Sequence, residues 1–318
     1  MKKYISLMRL DHWIKQLFIV PGVVCGIYLT KDIVSLSIGS LLLSFLLGLL
    51  GTSLIASANY VINEYLDAEF DKFHPIKKKR IAVNNEIKGS IVWVMWFILG
   101  VLGLAIGSAI NKSFFFTQLL LLIMGILYNV KPIRTKDVAF LDVLSESINN
   151  AIRLMLGWFI VTDYYFPPIS IVLGYWMAGA FLMAVKRYSE YCMINDPKVA
   201  GLYRRSFQHY TDHSLLISAF FYGICSVFLV GIFLIKYRIE LILLIPFFVG
   251  LHCYYLYLSF KKDSAVQSPE KLYKEHGLLL YLFALVVLFI ILMMIDIPVL
   301  SIFETNTLVR NTLYDFRL

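Results

Sequence analysis

Apolar residues run through this chain in long blocks rather than in alternation. Charge-free windows occupy residues 33–63, 89–111, 113–130, 164–185, 213–235, 241–260 and 276–295. A membrane-crossing α-helix needs roughly 20 mostly apolar residues to traverse ~30 Å of hydrocarbon, and these windows are of that order. Two further stretches are less clean. Residues 16–30 are short and interrupted by Pro21 and Gly22, so that helix is expected to extend back through Trp13. Residues 138–161 are apolar enough to span but carry Asp142, Glu146 and Arg153. The pattern predicts an all-α polytopic membrane protein of about nine transmembrane helices. No linker-like break divides it, so residues 1–318 are read as a single domain. The first apolar stretch follows Asp11 and Lys15 and has no small-residue cleavage site, so it is expected to be retained.

The distribution of Lys and Arg orients the predicted spans. The N-terminal segment and the loops after spans two, four, six and eight together hold 22 of the 29 basic residues. The opposite loops and C-terminal tail hold six (Lys31, Lys112, Lys236, Arg238, Arg310 and Arg317), and Arg153 lies within a span. The alternation predicts a multi-pass protein of the cell (inner) membrane with N-terminus inside and C-terminus outside. The charged loops, at about 64–89, 129–137, 187–212 and 261–275, then share the cytoplasmic face.

Composition agrees: 59% of residues are hydrophobic and only 16% charged, where a soluble domain has nearer a quarter charged. The net charge of +8 is accounted for by membrane-end cations and anionic lipid, and nucleic-acid binding is excluded on that ground. Four cysteines without CxxC spacing are read as apolar filler rather than disulfide or metal chemistry.

The chemistry concentrates at the end of span two. Asn63, Asp67 and Asp71 stand at i, i+4 and i+8 and so share one helix face. Like charges at that spacing repel, and a hard divalent cation resolves the conflict. Mg²⁺ takes oxygen ligands, commonly one or two carboxylates, and completes its shell with water and substrate phosphates. The basic run His74-Pro75-Ile76-Lys77-Lys78-Lys79-Arg80 follows. It reads either as a clamp for a polyanion held through that metal or as ordinary positive-inside charge. In span five, Asp142, Glu146 and Arg153 share a face, with Asn149 beside them. The reading of this face is a structural salt bridge from Glu146, to Arg153 or to another helix. The loop after span six, with Tyr203-Arg204-Arg205 and Tyr210-Thr211, is either a cap over the site or a solvated basic loop.

Asn-x-x-x-Asp-x-x-x-Asp at the end of a second span resembles the first signature of the UbiA superfamily of intramembrane prenyltransferases, and nine helices with charged cytoplasmic loops fit that family. The resemblance implies a UbiA-like bundle with Mg²⁺ and a diphosphate leaving group at Asn63, Asp67 and Asp71. Glu64 stands where the family usually has Asp, and Arg80-Ile81 where Arg-Pro is common. Prenyl-diphosphate users of the superfamily carry a second Asp-rich motif at the end of the sixth span. Here that place reads Lys186-Arg187-Tyr188-Ser189-Glu190. With His12-Trp13-Ile14-Lys15-Gln16, the His74–Arg80 run and Tyr128-Asn129-Val130-Lys131 leading through Arg134 to Asp142, it resembles the decaprenyl-phosphate phosphoribosyltransferase branch.

That branch implies transfer of 5-phosphoribose from phosphoribosyl pyrophosphate to a polyprenyl phosphate, with release of pyrophosphate. Asn63, Asp67, Asp71, Asp142 and Glu190 are the implied catalytic set. Lys15, Lys77, Lys78, Arg80, Tyr128, Lys131, Arg134, Lys186 and Arg187 are the implied substrate contacts. The rival readings are a UbiA-type enzyme moving a prenyl chain from prenyl diphosphate to an aromatic acceptor, a non-catalytic family member that binds a lipid phosphate, and a membrane transporter. The absent second acidic pair counts against the first. The Asp-Gly…Ala-Arg signature of CDP-alcohol phosphotransferases does not occur around these carboxylates. A transporter calls for inverted repeats and broken midplane helices, and only a loose echo between spans two and six is present.

Overall fold

The computed structural model describes residues 2–30, 37–261, 266, 272 and 274–303. The described residues contain helices and no strand. Nine long helices run in chain order: α1 (Lys3–Thr30), α2 (Ile38–Asp71), α3 (Gly89–Ile110), α4 (Lys112–Asn129), α5 (Leu141–Val161), α6 (Ile169–Ile194), α7 (Asp212–Tyr237), α8 (Ile239–Ser259) and α9 (His276–Met294). Eight of them are long and apolar enough to cross a membrane; α5 is the exception. Most of the predicted loop 261–275 lies outside the described residues, as do Lys31, Arg310 and Arg317.

The departures from the apolar windows have local causes. In α1 the interruption falls before Pro21, where Leu10–Ile19 winds as a tighter 3₁₀ helix. Pro21 itself sits in the first turn of the α-helical segment Val20–Thr30, where a missing N–H costs nothing. The sixth span begins only at Ile169, because Pro167 and Pro168 end the extended link and Pro168 caps the helix. Helix α2 has 34 residues, about 51 Å at 1.5 Å per residue, well beyond the hydrocarbon thickness. Its surplus turns carry Asn63, Asp67 and Asp71 to the polar boundary.

Helix α5 packs against α1, α2, α4 and α6 and so lies at the centre of the bundle. That position explains its composition. Intramembrane charge is tolerated only toward the bundle interior, and α5 buries Asp142 and Arg153 together with most of its length. By contrast α9, the most apolar span, buries only Leu278 and Leu292. The close approach of α1 to α5 depends on two glycines. A Cβ on Gly22 would sit 1.9 Å from the carbonyl oxygen of Leu154, and one on Gly157 2.0 Å from that of Ile19. Small residues at helix crossings let backbones meet in lipid, where no hydrophobic effect drives helices together. The links after α2, α4 and α6 meet on one face through Arg134–Asp67 and Lys77–Glu190 ion pairs. The α7–α8 link meets the end of α9 through Arg238 and Asp296.

Gly157→Leu should therefore lower the thermal unfolding midpoint of detergent-purified protein, by an overpacking cost of about 1–3 kcal/mol. Gly39→Ala, where a Cβ meets nothing within 4 Å, should leave it unchanged or slightly raised. Equal midpoints for the two variants would contradict the backbone contact.

Candidate active site

The face of α2 set by Asn63, Asp67 and Asp71 continues one turn deeper to Asn59, and all four line a cavity of about 410 Å³. Eight Lys and Arg side chains line that cavity against three carboxylates (Asp67, Asp71 and Glu146). The surplus of buried positive charge makes it a receptor for anions.

The cations are held by carboxylates arranged behind and beside them. Arg80 donates from Nη1 to Asp71 Oδ2 at 2.8 Å and lies 3.2 Å from Glu64 Oε1. Glu64 also pairs with Arg9 at 2.8 Å. The Glu64 departure thus faces two cations of α1 and the basic loop rather than the cavity. Lys77 donates to Glu190 Oε1 at 2.7 Å and to the Tyr203 hydroxyl. Asp67 accepts from Arg134 Nη2 at 3.1 Å and from the Lys136 amine.

At the centre lies Arg187, 1% exposed. Its Nε meets Asp142 Oδ2 at 3.3 Å, its Nη1 meets Glu190 Oε2 at 3.1 Å, and its Nη2 meets Glu146 Oε2. Tyr128 joins them by donating to Glu146 Oε2 at 2.7 Å. Glu146 therefore pairs with another helix. The alternative Glu146–Arg153 bridge does not form: Arg153 donates instead to Gln16 Oε1 at 2.8 Å and to Asn149 and Asn150. Sharing a helix face brought the two side chains near, but α6 supplies Glu146 with a guanidinium at closer reach.

Of the predicted residues, Lys15, Asn63, Asp67, Asp71, Lys77, Arg80, Tyr128, Lys186 and Arg187 line the cavity. Arg134, Asp142 and Glu190 lie behind it, buried in ion pairs with Asp67 and Arg187. Lys78 and Lys131 are exposed and do not line it. Lys131 borders a shallower neighbouring depression that also touches Arg134. The link buries a second cation beside Arg134, Lys136, 3% exposed. Burial lowers its pKa to about 8, against the opposing pull of Asp67. Three basic residues within six positions of a short link give no periodic signal as to which turns inward.

The link after α6 caps the site. Asp196 accepts from the backbone N–H groups of Lys198 and Val199 at 2.8 and 3.3 Å and starts the short helix Pro197–Tyr203, with proline in its first turn. Tyr203, Phe207 and Tyr210 form a buried cluster beyond it. Tyr210 donates to Asp142 Oδ1 at 2.8 Å and Ser206 to Asp142 Oδ2 at 3.1 Å. Tyr203 packs edge-on to His74 at 4.6 Å between ring centroids. The ring nitrogen Nδ1 of His74 accepts from the N–H groups of Ile76 and Lys77, both at 3.1 Å, which turns the basic loop so that Lys77 faces the cavity. Burial, helped by Lys77, pushes the His74 pKa down to about 3 and keeps the acceptor unprotonated.

The oxygens available to a metal are consistent with a hard divalent ion. Asn63 Nδ2 donates to Asp67 Oδ2 at 3.0 Å and to Asn129 Oδ1 at 2.6 Å, so its own carbonyl oxygen has no donor among the described residues. Asp71 likewise uses only Oδ2, on Arg80. Among the described residues no group of three or more His, Cys, Asp or Glu side chains is clustered for metal binding. Such a set, one amide and two carboxylates, leaves the rest of a Mg²⁺ shell to water and phosphate oxygens.

Residues 19–283 match the UbiA prenyltransferase family. Nodulation protein NoeC of Azorhizobium caulinodans is 26% identical over 217 residues, covering 67% of this chain and 65% of that protein. Protoheme IX farnesyltransferase of Photorhabdus laumondii is 25% identical over 189 residues, covering 56% and 62%. The matched part is thus just under two thirds of the length of these relatives. A UbiA homolog from Archaeoglobus fulgidus, solved bound to GPP and Mg²⁺, superposes with TM-score 0.66 at 22% identity over 90% of this chain and 99% of its own. A digeranylgeranylglyceryl phosphate synthase superposes with TM-score 0.59 at 16% identity over 89% and 98%. At those identities the likeness is one of fold.

Two outcomes follow from this geometry. Arg187→Met removes the guanidinium shared by Asp142, Glu146 and Glu190, the first and last of them buried, and should cost about 3–5 kcal/mol, read as a fall in unfolding midpoint in detergent; an unchanged midpoint would remove Arg187 from its central role. His74, held near 3 against an ordinary 6.5, stabilises the fold above 6.5, and that stability drains as pH falls toward 3. His74→Gln, whose amide oxygen can accept the same bonds without titrating, should flatten the acid limb of a stability–pH curve. A limb of unchanged slope would show that His74 is not its source.

Proposed function

The chain belongs to the UbiA prenyltransferase family, and from that premise we propose that it is a Mg²⁺-dependent transferase that moves 5-phosphoribose from phosphoribosyl pyrophosphate to a polyprenyl phosphate. The observation that carries this reading is the charge of the second motif. Asp142, Glu146 and Glu190 neutralise Arg187, while Lys186 lines the cavity with neither a hydrogen bond nor a salt bridge among the described residues. This motif offers the cavity a cation, Lys186, where a second metal–carboxylate site would offer ligands. One metal-binding face and one cationic face suit a substrate pair that brings a diphosphate and separate phosphate monoesters.

In this mechanism Asn63, Asp67 and Asp71 would hold Mg²⁺, which would supply charge neutralisation for a pyrophosphate leaving group. Lys77 and Arg80 flank it and Arg204 reaches in from the cap, so charge leaving ribose C1 meets fixed cations. The bond from C1 to the pyrophosphate oxygen breaks as the bond from C1 to an oxygen of the lipid phosphate forms. That oxygen is already anionic, so no general base is needed; Lys15 and Lys186 position it. The cap excludes water, which would otherwise intercept the sugar cation. The active face is the cytoplasmic one, as the Lys/Arg asymmetry predicts.

A second reading, a prenyl diphosphate donor, draws on the farnesyltransferase relative and on the A. fulgidus homolog bound to GPP. The two part in one assay. Detergent-purified protein with Mg²⁺, labelled phosphoribosyl pyrophosphate and polyprenyl phosphate should yield a labelled lipid and pyrophosphate. Absence of that lipid, with consumption of geranyl diphosphate in its place, would overturn the phosphoribosyl reading. Asp67→Asn should lower turnover by about 10²-fold or more while the protein remains folded; full activity would dismiss the metal face.

A further inference from the structure

Of the three carboxylates that share Arg187, Glu146 is the one open to the cavity. Asp142 and Glu190 have 0% and 1% of their side chains exposed, whereas Glu146 has 28%. Helix α5 lies at the centre of the bundle, so the surface that Glu146 keeps is turned to the cavity it lines. Its oxygens differ as well. Oε2 accepts from the Tyr128 hydroxyl at 2.7 Å and from Arg187 Nη2. Oε1 accepts from no donor among the described residues, and it is not one of the buried side-chain atoms left without a partner. The carboxylate is anchored through one oxygen and open through the other.

The end of α4 places this group against the metal-binding face. Tyr128, which anchors Glu146, precedes Asn129, whose Oδ1 accepts from Asn63 Nδ2 at 2.6 Å. Glu146 therefore faces the α2 carboxylates across the last turn of α4. Eight Lys and Arg side chains line the cavity; the carboxylates among them are Asp67 and Asp71 on the metal-binding face and Glu146 away from it. Such a surplus of cations suits a diphosphate and opposes the other half of the reaction. As the bonding pair leaves ribose C1 with pyrophosphate, C1 and the ring oxygen gain positive charge, which surrounding cations disfavour. A fixed anion at the reacting centre offsets this, as a carboxylate does beside the oxocarbenium-like centre of a glycosidase.

We propose that Glu146 is a catalytic carboxylate whose Oε1 stands against ribose C1 and stabilises the positive charge that develops there. It forms no covalent bond: the pair of the C1–pyrophosphate bond departs with the leaving group, and the lipid phosphate oxygen supplies the new pair. Arg187 and Tyr128 hold Oε2, which keeps the carboxylate from turning to a cavity cation and fixes it before the reaction begins. The inference rests on the phosphoribosyl reading above and adds the group that faces the sugar rather than the phosphates.

The test is Glu146→Gln in the phosphoribosyl transfer assay at saturating lipid phosphate, beside calorimetry of pyrophosphate binding with Mg²⁺ on the same full-length protein. Tyr128 and Arg187 both donate to this side chain, so the amide oxygen takes the anchored position and its NH₂ the open one. The variant removes the charge and turns a donor toward C1 with little change of shape. It should lower kcat about 10²-fold or more. The KM for phosphoribosyl pyrophosphate and the affinity for pyrophosphate should change by no more than about threefold. Retained pyrophosphate affinity also reports a folded site. A raised KM at unchanged kcat would make Glu146 a ground-state contact, and a parallel loss of pyrophosphate binding would make it a structural one; either overturns the proposal. Unchanged kcat and KM, with transfer intact in the wild type, would overturn it while sparing the proposed reaction. No transfer from phosphoribosyl pyrophosphate in the wild type would overturn both.

Discussion

A guanidinium with almost no access to solvent holds the active end of this bundle together. Arg187 draws Asp142 and Glu146 from α5 and Glu190 from its own helix into one cluster, and Tyr128 of α4 closes it. None of these charges would be stable there alone, because each isolated ion at low dielectric costs several kcal/mol. Together they lock α4, α5 and α6 in register. The remaining cations are then free to be spent on the cavity. Lys77 shares Glu190 with Arg187, so the basic loop after α2 is tied to the same cluster. Asp142 takes hydrogen bonds from Tyr210 and Ser206, so the cap is tied to it as well.

This arrangement reconciles two features that conflict when taken separately. The second motif has two cations and a single acidic residue, yet the site around it is rich in carboxylates. Those carboxylates come from α5 and serve as counter-ions. What reaches the cavity is the unpaired charge: Lys186 on one side, and on the other the oxygens of Asn63 and Asp71 that no cation occupies. A site so divided suits metal on α2 and bare phosphate opposite it, as the proposed reaction requires.

How much of this was legible along the chain depends on whether a contact lies within one helix or between several. Nine helices followed from apolar windows, and the Asn63–Asp67–Asp71 face from a four-residue period, because both are properties of a single element. The charged α5 was recognisable as interior for the same reason. Lys136 was not visible: that it turns inward with Arg134 while Lys131 stays exposed is decided by how the link folds back on α2. Lys78 and Lys131 stand beside true cavity residues in sequence, yet both face solvent. Asn59 continues the α2 face inward but is uncharged and sits in an apolar window, so nothing marked it. The partner of Glu146 needed the packing of α6, and Gln16 could be paired with Arg153 only once the glycine contact brought α1 against α5.

The central claim is that one cavity takes the metal-bound diphosphate of a phosphoribosyl donor on the α2 face. A cryo-electron microscopy map of the protein with Mg²⁺ and phosphoribosyl pyrophosphate examines this most directly. The account predicts density for the pyrophosphate at Asn63, Asp67 and Asp71, with the pentose in the same cavity. A pyrophosphate away from those residues, or a pentose lying outside the cavity, would contradict it.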